Sequence, residues 1–286
     1  MRVMTKTLQA TAATPAAYAE RPVTPPTPRT YQGVNWTGLK TLYLKEVRRF
    51  WKVGMQTVAA PVVTTLLYML IFVVAMRGAR PVVGGVPFAQ FVAPGLIMMA
   101  ILNNAFANAS SSLIQAKIMG TAPDFLTPPL SPFELATAFS LGAATRGVFV
   151  GVVTAVAVWP FAHFGFASVA AALYFGFAAS LLMGFVGLLT GLWAEKFDHL
   201  AAITNFIIMP LTFLSGTFYS VTALPTAFRA AAAFNPFFYL IDGFRYGFVG
   251  HADGDVAIGV AYTATLVVVL GLASWLVIRS GWRLKS

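Results

Sequence analysis

Residues 114–134 read IQAKIMGTAPDFLTPPLSPFE and separate two apolar runs, 88–113 and 135–160. A hydrocarbon core about 30 Å thick takes about 20 helical residues to cross, and each run is long enough. The linker is too short to fold as a domain. It can form a small surface helix with turns, which offers a docking piece to a component outside the membrane.

Working outward, further runs of spanning length occur at 56–76, 167–193, 200–219 and 256–278, for six in all. The composition agrees: 58% of the 286 residues are hydrophobic and 10% are charged, against about 25% charged in a soluble domain. Mean hydropathy is +0.76. The expected fold is an all-α integral membrane protein of six transmembrane helices. With no Cys, disulfides and thiolate-based metal or redox sites are excluded.

The net charge of +10 does not require nucleic acid, because the basic residues crowd beside the spans. Such flanks set topology and meet anionic headgroups. With the N-terminus inside, Arg29, Lys40, Lys45, Arg48, Arg49, Lys52, Lys117, Lys196, Arg279, Arg283 and Lys285 place eleven charges on the cytoplasmic side. Arg77, Arg80, Arg229 and Arg245 place four outside. The imbalance predicts both termini in the cytoplasm and puts 114–134 there too.

Residues 1–34 are rich in Ala, Thr and Pro, lack the apolar stretch of a signal peptide, and read as a disordered cytoplasmic tail. Residues 35–55 alternate apolar positions with Lys45, Glu46, Arg48 and Arg49 at helical spacing. This pattern predicts an amphipathic helix in the membrane interface, or simply a basic flank of the first span.

Within the second span, Asn103, Asn104 and Asn108 need hydrogen-bond partners, either on neighbouring helices or along a transport path. Arg146, inside the third span, either snorkels and pairs or serves substrate and coupling. The pairs Gly147/Gly151 and Gly187/Gly191 permit close helix approach. Residues 220–255 are too polar for a clean crossing, and they predict an external re-entrant helical region in which Asp242 and Arg245 lie one turn apart.

His163, His199 and His251 are isolated, so no metal site is expected. The Asn-x-Ser/Thr matches at Asn108 and Asn35 fall in the membrane and the cytoplasm, where neither supports glycosylation. Gly33-Val-Asn-Trp-Thr-Gly38-Leu-Lys40-Thr41 is not a phosphate-binding loop, since Leu39 separates Gly38 from Lys40. If transport is driven by ATP, hydrolysis occurs on another chain.

The basic helix before the first span, Gly120-Thr121, Leu130-Ser-Pro-Phe-Glu134-Leu135, Leu214-Ser-Gly-Thr-Phe-Tyr219 and Asn235-Pro-Phe-Phe-Tyr-Leu-Ile-Asp-Gly-Phe-Arg245 together resemble an ABC-2 type export permease. The resemblance covers about 36–285 and makes 56–285 the permease domain. It implies the bacterial-type cytoplasmic (inner) membrane, a second copy of the permease as homodimer partner, surrounding membrane lipids, and a separate cytoplasmic ATP-binding subunit carrying ATP and Mg, with no cofactor on this chain and no catalytic site of its own.

By the same resemblance, Lys117, Gly120, Thr121, Asp124, Phe125 and Glu134 couple to the ATPase, with Lys117, Asp124 and Glu134 either surface contacts for it or solvent-exposed topology residues. Asn235, Pro236, Asp242 and Arg245 shape the outer exit. Ala122-Pro123-Asp124 departs from the family, many of whose members carry an acidic residue soon after the Gly-Thr pair.

The leading function is thus the membrane subunit of an ATP-driven exporter of a lipid, glycan, polysaccharide or drug-like substrate. The alternatives are an ion- or proton-coupled secondary transporter, suggested by Arg146 and the polar second span, and a non-transporting assembly or sensor subunit.

Overall fold

The structure, a computed structural model, describes residues 33–75, 82–83 and 85–282. Most of the tail 1–34, together with Arg77, Arg80, Arg283 and Lys285, lies outside the described residues. The chain runs through α1 (Trp36–Lys52), α2 (Gly54–Ala75), the two-residue antiparallel strands β1 (Val82–Val83) and β2 (Val86–Pro87), α3 (Phe88–Ile118), α4 (Pro123–Leu126), α5 (Pro132–Ala162) and α6 (Val169–Trp193). It continues through α7 (Phe197–Ile203), a π-helical turn Thr204–Ile208, α8 (Met209–Leu214), a 3-10 turn Val221–Ala223, α9 (Thr226–Phe234), α10 (Pro236–Val249) and α11 (Val256–Arg279).

Among the described residues, six helical stretches are long and apolar enough to span a bilayer: Gly54–Phe72, Phe88–Ile118, Pro132–Ala162, Val169–Trp193, Phe197–Leu214 and Val256–Arg279. The protein is an all-α integral membrane protein, as its composition predicts. Helix α3 is the axis of the fold. Its most apolar window is 78% buried, whereas the corresponding windows of α2 and α11 are 11% buried and that of Phe197–Leu214 is 17% buried.

Small residues explain why α3 can be so enclosed. Lipid gives no hydrophobic drive for helices to associate, so close packing must do it. A Cβ on Gly187 would lie 2.5 Å from the Phe106 carbonyl oxygen, and one on Gly191 would lie 3.0 Å from that of Ser110. Gly147 likewise seats α5 against Ile101 of α3. Both small-residue pairs seen in the sequence are therefore contact seams on α3. Two of its buried polar side chains bond backward within the helix, Ser110 Oγ to the Phe106 carbonyl at 2.8 Å and Asn104 Nδ2 to the Ala100 carbonyl at 3.0 Å.

Helix α1 is capped by Asn35, whose side chain accepts from Gly38 N at 2.9 Å, and it ends at Val53, where the backbone leaves helical geometry. Leu42, Glu46 and Phe50, spaced four apart, form its buried stripe. Phe50 and Trp51 pack on Phe149 of α5, and Tyr43 shares a hydrogen bond of 2.9 Å with Thr145. The helix is thus docked along α5 by a full face.

The fifth span differs from its expected bounds of 200–219. It begins at Phe197, carries the π-helical turn, and stops at Leu214. Pro210 supplies a reason for the π turn, because it has no N–H to give the carbonyl four residues earlier and its ring crowds that position. Ser215 and Gly216, the latter with φ +77, then turn the chain away.

Candidate functional site

The connector between α3 and α5 is built from local stop and start signals. Gly120, with φ +67, closes α3: Thr121 N donates to the Ala116 carbonyl at 2.9 Å and Gly120 N to that of Lys117 at 3.2 Å, a Schellman pair. Pro123 opens the one-turn helix α4, where a missing N–H does no harm, and Asp124 stands in its first turn. Ser131 and Glu134 then form a capping box that starts α5.

This geometry corrects two expected surface contacts. Glu134 is buried, accepting from Ser131 N at 2.7 Å and from Asn35 N at 2.5 Å, so it ties the start of α5 to the start of α1. Lys117 belongs to the last turn of α3, and its ammonium donates to the Leu192 and Ala194 carbonyls at the end of α6. A cation there also suits the negative end of the α6 dipole. Asp124, Gly120 and Thr121 remain exposed, while Phe125 is buried as the anchor of α4, edge-on to Phe139 at 5.4 Å and beneath Lys45 at 5.4 Å.

A groove of about 520 Å³ runs between α1 and this connector, lined by residues that include Thr37, Thr41, Lys45, Asp124 and Pro128. The connector starts where α3 ends, packs through Phe125, and finishes in the Asn35–Glu134 bond. A load on α4 therefore reaches α1, α3, α5 and α6 together.

Underneath α1 lies a polar cluster that joins the expected interfacial residues to the expected path residues. Glu46 is fully buried; it accepts from Ser112 Oγ at 2.8 Å and pairs with Arg49 at 3.2 Å. Arg49 also donates to the Asn108 carbonyl at 2.6 Å, to Asn108 Oδ1 at 3.1 Å and to Ser111 Oγ at 3.3 Å. One turn further along α3, Asn104 Oδ1 accepts from Arg146 Nη2 at 3.1 Å. Arg48 instead points to the exposed side of α1.

Asn103 faces elsewhere. With Asn104, Thr64, Thr65 and Tyr68 it supplies the polar side of a pocket of about 170 Å³ between α2, α3 and Met209.

At the other end of the bundle, α9 and α10 meet at Asn235-Pro236. Asn235 caps α10 by accepting from Phe237 N at 3.1 Å, and its amide donates to the Leu211 carbonyl at 2.7 Å and Ser215 Oγ at 2.8 Å. Pro236 occupies the first helical turn. Helix α10 has 14 residues, about 21 Å of length, which is too short to cross a hydrocarbon core. It is nonetheless enclosed by α3, α6 and α11.

Arg245 is the largest fully buried side chain there. It donates to the Phe91 carbonyl at 3.1 Å and the Gly216 carbonyl at 2.6 Å, and its guanidinium lies 3.9 Å from the centre of the Phe91 ring. Asp242, 3.8 Å from Arg245, accepts from Asp253 N and Gly254 N at 2.9 Å each. Asp253 in turn accepts from Ser220 Oγ at 2.8 Å and Val221 N at 2.7 Å.

Sequence reasoning missed Asn35, Ser112, Phe91, Gly216 and Asp253 as partners. For Ser112 a signal existed, since a carboxylate in the apolar stripe of α1 demands a donor from the facing helix. Gly216 contributes only a backbone carbonyl, and Phe91 a carbonyl together with its ring face; no residue type announces a carbonyl. No group of three or more His, Asp or Glu side chains among the described residues could hold a metal ion.

Comparison with known proteins follows the same lines. Residues 37–249 match the family model described as ABC-2 type transporter. The chain is similar to the inner membrane transport permease YadH of Escherichia coli, with 35% identity over 254 residues that cover 88% of this chain and 98% of that protein. It is similar also to nodulation protein J of Rhizobium leguminosarum bv. trifolii, with 25% identity over 188 residues, 65% of this chain and 72% of that one.

Proposed function

The chain belongs to the ABC-2 type transporter family as a multi-pass inner membrane subunit that associates with an ATP-binding subunit, and from that premise we propose that it forms the membrane half of an ATP-driven exporter. Two copies pair in the membrane, and two ATP-binding subunits carrying ATP and Mg dock on the connector side, which faces the cytoplasm. The charge imbalance across the membrane supports that orientation. The pairing draws support from the little-buried faces of α2 and Phe197–Leu214, between which the Asn103 pocket opens.

The observation that carries this reading is the construction of the connector. Thr121 and Asp124 are exposed on a piece whose Phe125, Glu134 and Lys117 are fixed to four different helices. Closure of two nucleotide-loaded subunits pushes on α4, and the rigid attachments shift the bundle between inward-open and outward-open arrangements. Such a push works only through differential affinity of the partner for the two states. The chain's own task needs no covalent chemistry. Asn103 and Asn104 line the path, and the α9–α10 pair, locked by Asn235 and Arg245, closes its outer end. The substrate is a lipid, glycan, polysaccharide or drug-like molecule.

Reconstituted with its ATP-binding subunit in sealed vesicles, the protein is expected to move a member of a panel of headgroup-labelled lipids and amphipathic dyes only while ATP is hydrolysed. Movement that follows an imposed ion gradient in ATP-depleted vesicles would overturn the reading in favour of secondary transport.

A further inference from the structure

The cluster beneath α1 has more positive charge and more donors than its own groups absorb. The cluster holds two guanidinium groups and one carboxylate: Glu46 pairs with Arg49, while the hydrogen bond of Arg146 runs to the neutral Asn104 Oδ1. Glu46 is already occupied by Ser112 and Arg49. Arg146 Nε and Asn108 Nδ2 are buried and have no hydrogen-bond partner among the described residues. Buried donors of this kind are costly unless satisfied, and an excess guanidinium more so.

A single group that satisfies both these donors and the surplus positive charge is an acceptor with negative charge. Its level in the membrane follows from α1. The first span begins at Gly54, five residues beyond Arg49, and the headgroup layer is roughly 5–8 Å deep on each side. Lys40, Lys45, Arg48 and Lys52 occupy the exposed face of α1, the pattern of a helix lying against anionic headgroups. Arg49 itself keeps a quarter of its side chain exposed, so the cluster's edge reaches the surface at that level.

We propose that Arg49, Arg146 and Asn108 form a binding site for the phosphate of a lipid headgroup, beneath α1 and between α3 and α5. Arg146 Nε and Asn108 Nδ2 donate to its oxygens, and the second guanidinium balances its charge. Glu46 keeps Arg49 oriented and limits the site to one net positive charge, which suits a phosphodiester carrying one negative charge. The site needs neither ATP nor a docked partner, so it stands or falls separately from the transport reading.

The test is native mass spectrometry of the purified full chain exchanged from phosphatidylglycerol into phosphatidylcholine. One phosphatidylglycerol per chain is expected to remain on the wild type. Arg146→Gln should weaken its retention about tenfold, the scale of one charge-assisted hydrogen bond. Arg146→Lys should weaken it less, and Lys40→Gln, on the exposed face, should leave it unchanged. Thermal unfolding in phosphatidylcholine confirms that each variant is folded.

Equal retention by wild type and Arg146→Gln would overturn the proposal. So would wild type that holds phosphatidylglycerol no better than phosphatidylcholine, a comparison that requires no variant. Displacement of phosphatidylglycerol by an equimolar amount of inorganic phosphate would show a free-anion site instead and would equally overturn the lipid assignment.

Discussion

Arg245→Met is expected to destabilise the purified protein by roughly 3–5 kcal/mol, the range seen when one member of a buried charge pair is removed. The Asp242 pair, at 3.8 Å, is not the larger part of that loss. Arg245 also bonds the Phe91 and Gly216 carbonyls, which belong to the start of α3 and the turn after α8, and both lose their guanidinium donor in the variant. Asp242 keeps the Asp253 and Gly254 amides, so Asp242→Asn should cost less than Arg245→Met. Arg245→Lys retains the charge but cannot reach two carbonyls in the geometry of a planar fork, and should fall between them. Equilibrium unfolding in mixed micelles, read as the denaturant midpoint, checks the order. A midpoint for Arg245→Met equal to that of the wild type would contradict the role assigned to this lock.

Glu46→Ala should produce a loss of similar size, about 3 kcal/mol or more, at the opposite end of the fold. It removes the carboxylate that pairs with Arg49, strands Ser112 Oγ, and leaves a void beyond the Cβ, which Ala retains against Gly142. The expected result is detachment of α1 from α5 before the spans themselves unfold. It would appear as early protease cleavage near Val53, with the apolar fragments still membrane-bound. Glu46→Gln, which keeps volume and one acceptor, separates charge from packing. In the double variant Glu46→Ala, Arg49→Ala the loss should be smaller than the sum of the two single losses, because no unpaired guanidinium is left at position 49.

Much of the fold was legible because a bilayer imposes a length rule: six apolar runs gave six helices, with ends displaced by a few residues. The displacements have local causes. Residues 114–118 carry Lys117 yet continue α3, since the stop signal is Gly120 in the left-handed region. The start of α5 was written as Ser131-x-x-Glu134, a capping box, and reading it as such would have turned Glu134 inward. The fifth span hid its interruption behind unbroken hydropathy, and only Pro210 hinted at it.

The candidate site was less legible for a different reason. Asn104, Asn108, Arg146, Glu46 and Arg49 were each singled out, but as two separate groups, one in the membrane and one at its surface. What unites them is the docking of α1 over the second and third spans, a tertiary contact across more than fifty residues of sequence. Likewise Asp242 and Arg245 suggested a pair at helical spacing, whereas the short contacts of Arg245 run to carbonyls far away in the chain.

The most direct measurement is the subunit composition of the gently solubilised complex by native mass spectrometry, for the wild type and for Thr121→Arg, Asp124→Arg. These two positions are exposed on the connector, and they contribute to the bonds that hold it only through their backbone, which the substitutions leave in place. The account predicts permease and ATP-binding subunit in equal number for the wild type, and folded permease without that subunit for the variant. Wild-type permease recovered alone, under conditions that preserve other membrane complexes, or a variant that retains its partner in full, would contradict it.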